Sequence, residues 1–338
     1  MWFPALWFLL AGFAVAAALV PLARRVSARV GMVAHPTPDR WHQRTVGKLG
    51  GVAMAAALAI VWPFTGVLAN FWPLIVTAGL MCGLGLWDDL RPVRPATKLV
   101  GQVLVVSLLL YLLPPIAITG NLVLDQGIAF FWVLGLTNAF NLLDNIDGLS
   151  AGIAAIAASF LTLALLTAGA DVATPLALAL AAFVGVTCGF LLYNFQPASI
   201  FMGDSGSHLI GFFVSGGVLV AIPHLPASAL VPAVAGPVVT LLIPIFDTAF
   251  VTVTRGLAGR SVFSGGRDHT SHRLVALGIS ERGAVLVLYG LAILGGLVGA
   301  SVLVDQSRYT WGLVVLYATT LTGLGLFLGH SDATHPDT

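Results

Sequence analysis

Apolar residues run along this chain in blocks of about twenty, cut by short polar gaps, and the pattern recurs from one end to the other. A helix rising about 1.5 Å per residue needs about 20 such residues to cross the hydrocarbon core of a bilayer. On that measure, spans are expected near 2–22, 50–68, 71–87, 98–118, 127–143, 148–169, 173–193, 206–223, 228–253, 284–304 and 310–329. The expected fold is all-α: a polytopic integral membrane protein with about 11 transmembrane helices, residues 1–338 forming one transmembrane domain. The ninth span holds Pro232, Pro237 and Pro244, so a kink or break is expected there. The first run, Trp2 to about Leu22, reads as a retained helix. Its basic residues Arg24, Arg25 and Arg29 follow the apolar segment, whereas a signal peptide carries them before it.

Composition agrees. The chain is 58% hydrophobic and 9% charged, with a mean hydropathy of +0.98, against about 25% charged residues in a soluble domain. The polar gaps reach only about 25–30 residues, too few for a separate soluble domain. Cys82 and Cys188 lie in apolar runs, so neither a disulfide framework nor a thiolate metal site is expected.

Net charge is +1 and excludes little, but its distribution is informative. Arg24, Arg25, Arg29, Arg40, Arg44 and Lys48 follow span one. Arg91, Arg94 and Lys98 follow span three, and Arg255, Arg260, Arg267, Arg273 and Arg282 follow span nine. Fourteen of the 15 basic residues thus fall on one face, with Arg308 alone on the other. By the positive-inside rule that face is cytoplasmic, which puts the N-terminus outside and the C-terminus in the cytoplasm. Asp88, Asp89, Asp144, Asp147, Asp204, Asp247 and Asp268 fall on the same face, while Asp125, Asp171 and Asp305 lie in short outer loops. A polar site open to the cytoplasm is expected, built from loops near 34–51, 88–98, 138–152, 194–207 and 254–282.

Four strings carry chemistry. In GLGLWDDLRPVRPATK, Asp88 and Asp89 end a span side by side. Like charges this close raise one pKa, as a proton acceptor or a shared metal requires; a solvated helix end is the plainer alternative. In NAFNLLDNIDGLSAG, Asn138, Asn141, Asp144 and Asp147 recur every third residue and share one face of a helix. Their oxygens are hard ligands suited to Mg²⁺ and can also hydrogen-bond a base or sugar. An Asn/Asp/Gly turn would not need that stripe.

In YNFQPASIFMGDSGSHLIGF, Asp204 sits among Gly203, Ser205, Gly206 and Ser207, where a helix start suits an anion and a metal beside it; an N-cap Asp is the alternative. In FSGGRDHTSHRL, Arg267, His269, His272 and Arg273 suit phosphate, and a basic loop near lipid headgroups is the alternative. Two histidines among many hard oxygens point to Mg²⁺ rather than zinc. The basic gap HPTPDRWHQRTVGKLGG, with His35, Arg40, His42 and Lys48, suits a lipid phosphate or serves only as an orientation signal. Acids, a hard cation and arginines on one face fit phosphoryl transfer between a soluble donor and a membrane acceptor.

At these residues the sequence resembles the polyprenyl-phosphate N-acetylhexosamine-1-phosphate transferases of glycosyltransferase family 4 type. The likeness runs by motif from about Ala34 to Leu274. It implies transfer of a sugar-1-phosphate from a UDP-sugar to polyprenyl phosphate in the bacterial plasma membrane, with release of UMP. Mg²⁺ is the implied cofactor, with Mn²⁺ as a substitute. An eleven-span topology is similar to the branch that uses UDP-N-acetylglucosamine and undecaprenyl phosphate, and the product would feed cell-envelope glycan synthesis. The resemblance implies Asp204 and Asn141 as metal ligands and a base within Asp88–Asp89. It implies Asn138, Asp144, Asp147, Arg267, His269, His272 and Arg273 around the nucleotide sugar. Lys48 and Lys98 are expected at the lipid phosphate. Two departures stand out: Asn145 where the family has Gly, and Thr270–Ser271 where it has Ile and His.

The expected chemistry is direct attack of the lipid phosphate on the β-phosphorus, with Asp88 favoured over Asp89 as proton acceptor; an aspartyl-phosphate route would need two displacements. Partners are the two substrates and membrane lipid, not nucleic acid, and a homodimer stays open. The alternatives are a phospho-N-acetylmuramoyl-pentapeptide transferase, a transferase for another UDP-N-acetylhexosamine, a lipid-binding scaffold and a secondary transporter. A transporter would hold its acids near the midplane rather than at helix ends.

Overall fold

The computed structural model describes residues 2–34, 45–168, 174–224, 230–261, 266 and 268–334. These form thirteen α-helices: α1 Trp2–Arg29, α2 Gly50–Val61, α3 Val67–Leu90, α4 Pro95–Leu112, α5 Leu122–Leu143, α6 Leu149–Ala168, α7 Thr174–Asn194, α8 Gly203–Ala221, α9 Leu230–Thr240, α10 Leu242–Leu257, α11 Thr270–Ala276, α12 Glu281–Val304 and α13 Arg308–Thr334. The only sheet among the described residues is the antiparallel pair β1 Val33–Ala34 and β2 Val46–Gly47.

Nine of the described helices are long and apolar enough to cross a membrane, and α9 with α10 makes a tenth if that bent pair is one span. The pair breaks by 62° at Leu241, between Pro237 and Pro244, where the proline pattern puts a kink. The span expected at 50–68 is shorter: α2 passes into a 3₁₀ turn, Trp62–Thr65, and ends at Gly66. Pro63 opens that turn and Gly66 closes it with a left-handed φ of 80°, so the apolar run is cut before its composition would end it. Even so, α2 lies along the bundle. Gly51 abuts Gly206 at one end, and at the other Trp62 donates to the Ala179 carbonyl (3.1 Å) and faces Phe213.

Helix α8 is the centre. Every residue from Ser205 to Ala221 is buried, whereas only about a fifth of the apolar stretch is buried in α1, α4 and α13, which form the rim. A helix apolar on all sides belongs in an interior, and in a membrane close packing rests on small residues. A Cβ at Gly51 would meet the Gly206 backbone nitrogen at 2.1 Å, and one at Gly85 the Asp204 carbonyl oxygen at 2.3 Å. The start of α8 is therefore gripped by α2 and α3. The segment before it is stitched to β2: Phe201 N donates to Gly47 O (2.7 Å), and Gly50 N and Gly51 N donate to Phe201 O and Met202 O.

Candidate active site

The ends of α3 and α5 and the starts of α4 and α8 meet at one end of the bundle, and the two neighbouring acids of α3 part company there. Asp88 stands 3.1 Å from the Lys98 ammonium and accepts the Val93 N–H at 2.8 Å. Lys98 also pairs with Asp204. A cation in the first turn of a helix opposes the helix dipole; here, in the first turn of α4, it is compensated by two carboxylates. Asp204 in turn accepts from the Asn141 amide through Oδ1 at 2.9 Å, and the same amide nitrogen reaches Ser207 Oγ at 2.9 Å.

Asp89 points the other way. Its two oxygens accept the backbone N–H groups of Asp204 (3.0 Å) and Ser205 (2.9 Å), so it caps α8 from a neighbouring helix. Gly203 permits this. Its φ is 68°, and a Cβ there would meet the Asp89 carboxylate at 2.6 Å.

One turn deeper, Asn138 donates to Gln102 (3.0 Å), whose amide nitrogen lies 2.8 Å from His208 Nε2. Gln102 and His208 escaped the sequence reading. The available signal was their i+4 spacing from Lys98 and Asp204, which extends a polar stripe into apolar helices.

The turn between α5 and α6 is bound to the α7–α8 connection. Asp147 accepts from Ala198 N at 2.8 Å, and the buried Asn194 accepts from Gly148 N while donating to Ile200 O. Asp144 caps the end of α5, half-buried. Asn145 donates to Leu142 O at 2.8 Å and accepts from Ser271 Oγ at 2.7 Å. Asn145 and Ser271, both singled out in the sequence, therefore touch.

The basic segment is anchored from beneath by Asp247, which is 2% exposed. Asp247 Oδ2 lies 2.8 Å from His269 Nδ1, and Oδ1 accepts from Thr270 N at 2.8 Å. The sequence placed this acid only among the cytoplasmic carboxylates, because nothing in its apolar run marks a partner. Asp268 binds Arg255 and Arg260, both at 2.9 Å. Burial alone would push its carboxyl up, but the two guanidinium groups outweigh that and hold it below the ordinary carboxylate range. Arg273 faces inward, donating to Asp268 O and Leu328 O and covering the Phe250 ring at 4.9 Å. His272 is buried with its ring 6.0 Å from that of His269. Arg267 lies outside the described residues, as do His35, Arg40 and His42. Lys48 donates its backbone N–H to Ser27 Oγ and Met32 O, directly after β2, the strand to which the segment before α8 is stitched.

The site therefore has two parts. Asp88, Lys98, Asn141 and Asp204 form one cluster. His269, His272 and Arg273 form a second, joined to the α5–α6 turn through Asn145. Among the described residues no group of three or more His, Cys, Asp or Glu side chains could hold a metal ion. A site of that kind suits zinc, whereas Mg²⁺ takes one or two protein oxygens and completes its shell with water and substrate phosphate. The Asp204 carboxylate fits that role, and Asn141 beside it would present its oxygen once its amide turned over. The Lys98 ammonium lies between the Asp88 and Asp204 carboxylates, two negative charges against one positive.

Residues 71–222 match the sequence family described as glycosyl transferase family 4. The chain is 30% identical to the probable undecaprenyl-phosphate N-acetylglucosaminyl 1-phosphate transferase of Bacillus subtilis (strain 168), over 87% of this chain and 82% of that protein. It is 33% identical to the decaprenyl-phosphate N-acetylglucosaminephosphotransferase of Mycolicibacterium smegmatis, over 88% and 83%. It is 30% identical to the phospho-N-acetylmuramoyl-pentapeptide-transferase of Levilactobacillus brevis, over 88% and 98%.

Proposed function

The chain belongs to glycosyl transferase family 4, and from that we propose that it transfers N-acetylglucosamine-1-phosphate from UDP-N-acetylglucosamine to a membrane polyprenyl phosphate, releasing UMP. The observation that carries this reading is the Lys98 ammonium held between Asp88 and Asp204, with Asn141 on the far side of Asp204. The cluster's two carboxylates against one ammonium leave a net negative charge, which a divalent cation would offset beside a pyrophosphate.

An oxygen of the lipid phosphate attacks the β-phosphorus of the donor. The bond from that phosphorus to the bridging oxygen breaks, and the oxygen leaves with UMP. Lys98 and Lys48 draw in the lipid phosphate. Asp88, free of the capping duty of Asp89, takes the proton of a monoprotonated lipid phosphate or orients the attacking oxygen. Asp204 and Asn141 would hold Mg²⁺, which when bound neutralises pyrophosphate charge. Asp144, Asp147 and Asn138 serve the nucleotide-sugar side, with Arg267, His269 and His272 on the pyrophosphate; Arg273, turned inward to Asp268 O, Leu328 O and the Phe250 ring, holds that segment in place. Asp89 acts through α8 by keeping Asp204 in place.

We further propose that α2 and the α9–α10 pair both cross the bilayer, giving eleven spans in a bacterial plasma membrane. The N-terminus is outside, and the C-terminus lies in the cytoplasm with the site. Supporting this, Arg273 binds Leu328 near the end of α13, so that helix finishes at the site end of the bundle. A homodimer is compatible with this arrangement.

The test is purified protein with Mg²⁺, undecaprenyl phosphate and a panel of UDP-sugars, following UMP. UMP from UDP-N-acetylglucosamine supports the reading. UMP only from the muramoyl-pentapeptide nucleotide transfers it to that branch, and no UMP from any donor overturns it.

A further inference from the structure

Asn145 and Ser271 are 126 residues apart in sequence and 2.7 Å apart in the structure. The amide orientation is fixed locally: Nδ2 donates to Leu142 O, which turns Oδ1 toward the Ser271 hydroxyl. Ser271 is 1% exposed, so without this acceptor its hydroxyl has little access to water, and a buried donor left unpaired is costly. Asn145 follows Asp144 at the end of α5, and Ser271 lies between Thr270 and His272 in the first turn of α11. On the other side, Asp247 holds His269 and the Thr270 N–H. The segment 269–272 is thus clamped between α10 and the α5–α6 turn.

We propose that Asn145 and Ser271 form a positioning pair that sets the His269–His272 segment against the α5–α6 turn, and that the pair governs binding of the nucleotide sugar but not of the lipid. The parts it joins carry Asp144 and Asp147 on one side and His269 and His272 on the other. The Lys98 cluster makes its own separate contacts to α3, α5 and α8. This inference rests on the transfer reaction proposed above.

Steady-state kinetics of Asn145→Ala, Ser271→Ala and the double variant test it, with UDP-N-acetylglucosamine and undecaprenyl phosphate varied in turn. Each single change should raise KM for the nucleotide sugar about tenfold, within the range of coupled contacts. The kcat and the KM for the lipid should stay near wild type, and so should the melting temperature of Ser271→Ala, while Asn145→Ala, which leaves the Ser271 hydroxyl unpaired, should melt lower. The double variant should be no worse than Asn145→Ala alone. Additive losses, an unchanged donor KM or a shift in the lipid KM instead would each overturn the pair. Asn145 is half-exposed, so its variant carries the test if Ser271→Ala does not fold. Active wild-type enzyme with independent variants would overturn the pair alone, whereas wild-type enzyme without UMP release would remove the reaction as well.

Discussion

Asp89 accepts the backbone N–H of Asp204 at 3.0 Å, with the Ser205 N–H 2.9 Å from its other oxygen, so an acid of one helix secures the start of another. Its neighbour Asp88 takes no part in that cap and faces Lys98. Adjacent residues of one type thus hold separate posts, one capping α8 and one paired with Lys98.

This division predicts unequal mutants. Asp89→Asn keeps one acceptor for the helix start and should retain roughly a tenth of wild-type activity. Asp89→Ala loses the cap and should cost about 1–2 kcal/mol of stability as well. Asp88→Asn should lose about a hundredfold or more with melting unchanged, as removal of a proton acceptor does. Activity and melting temperature measured side by side check this. Equal effects of the two Asn changes would count against the separate roles.

Close approach of α3 to α8 is a second requirement. A Cβ at Gly85 would lie 2.3 Å from the Asp204 carbonyl oxygen, a backbone atom that no rotamer change can move aside. Gly85→Ala should shift the α8 start, lower the melting temperature and cut turnover about tenfold or more. Gly83, with open space at its Cβ, is the control and should tolerate Ala.

Asp268 gives a pH prediction. Its carboxyl is held below the usual range of about 3.9 by Arg255 and Arg260. The folded state therefore binds its proton less readily than the unfolded chain. The stability from this pair is fully present above the unfolded value and is lost as pH falls through the lowered one. In thermal melts, the lead of wild type over Asp268→Asn should be constant from about pH 8 to 5 and shrink below about 4. A lead that grows on acidification would reverse the sign of the argument.

Much of the fold was legible, for reasons visible in particular segments. Bilayer thickness sets helix length, so the long apolar runs and the proline-rich break at Leu241 could be read directly. The stretch 50–68 was harder to place, because Pro63 and Gly66 act locally inside an unbroken apolar run. The residues that meet in the Lys98 cluster were legible as candidates where polar groups interrupt apolar helices, as at Asn141, Asp204 and Lys98. Their pairings were not, since Lys98 and Asp204 are 106 residues apart and no local pattern says which helix ends meet. Asp247 was seen as an acid but not as the anchor of His269. The partner of Asn145, Ser271, lies 126 residues away, beyond any local pattern.

The central claim is that the bond broken is the pyrophosphate linkage of the donor and not its sugar–phosphate bond. The direct measurement uses UDP-N-acetylglucosamine labelled with ³²P at the β-phosphorus, incubated with the purified protein, undecaprenyl phosphate and Mg²⁺. The account predicts that the label enters the lipid fraction in step with release of unlabelled UMP. Label remaining in water-soluble UDP while sugar appears on the lipid would contradict it.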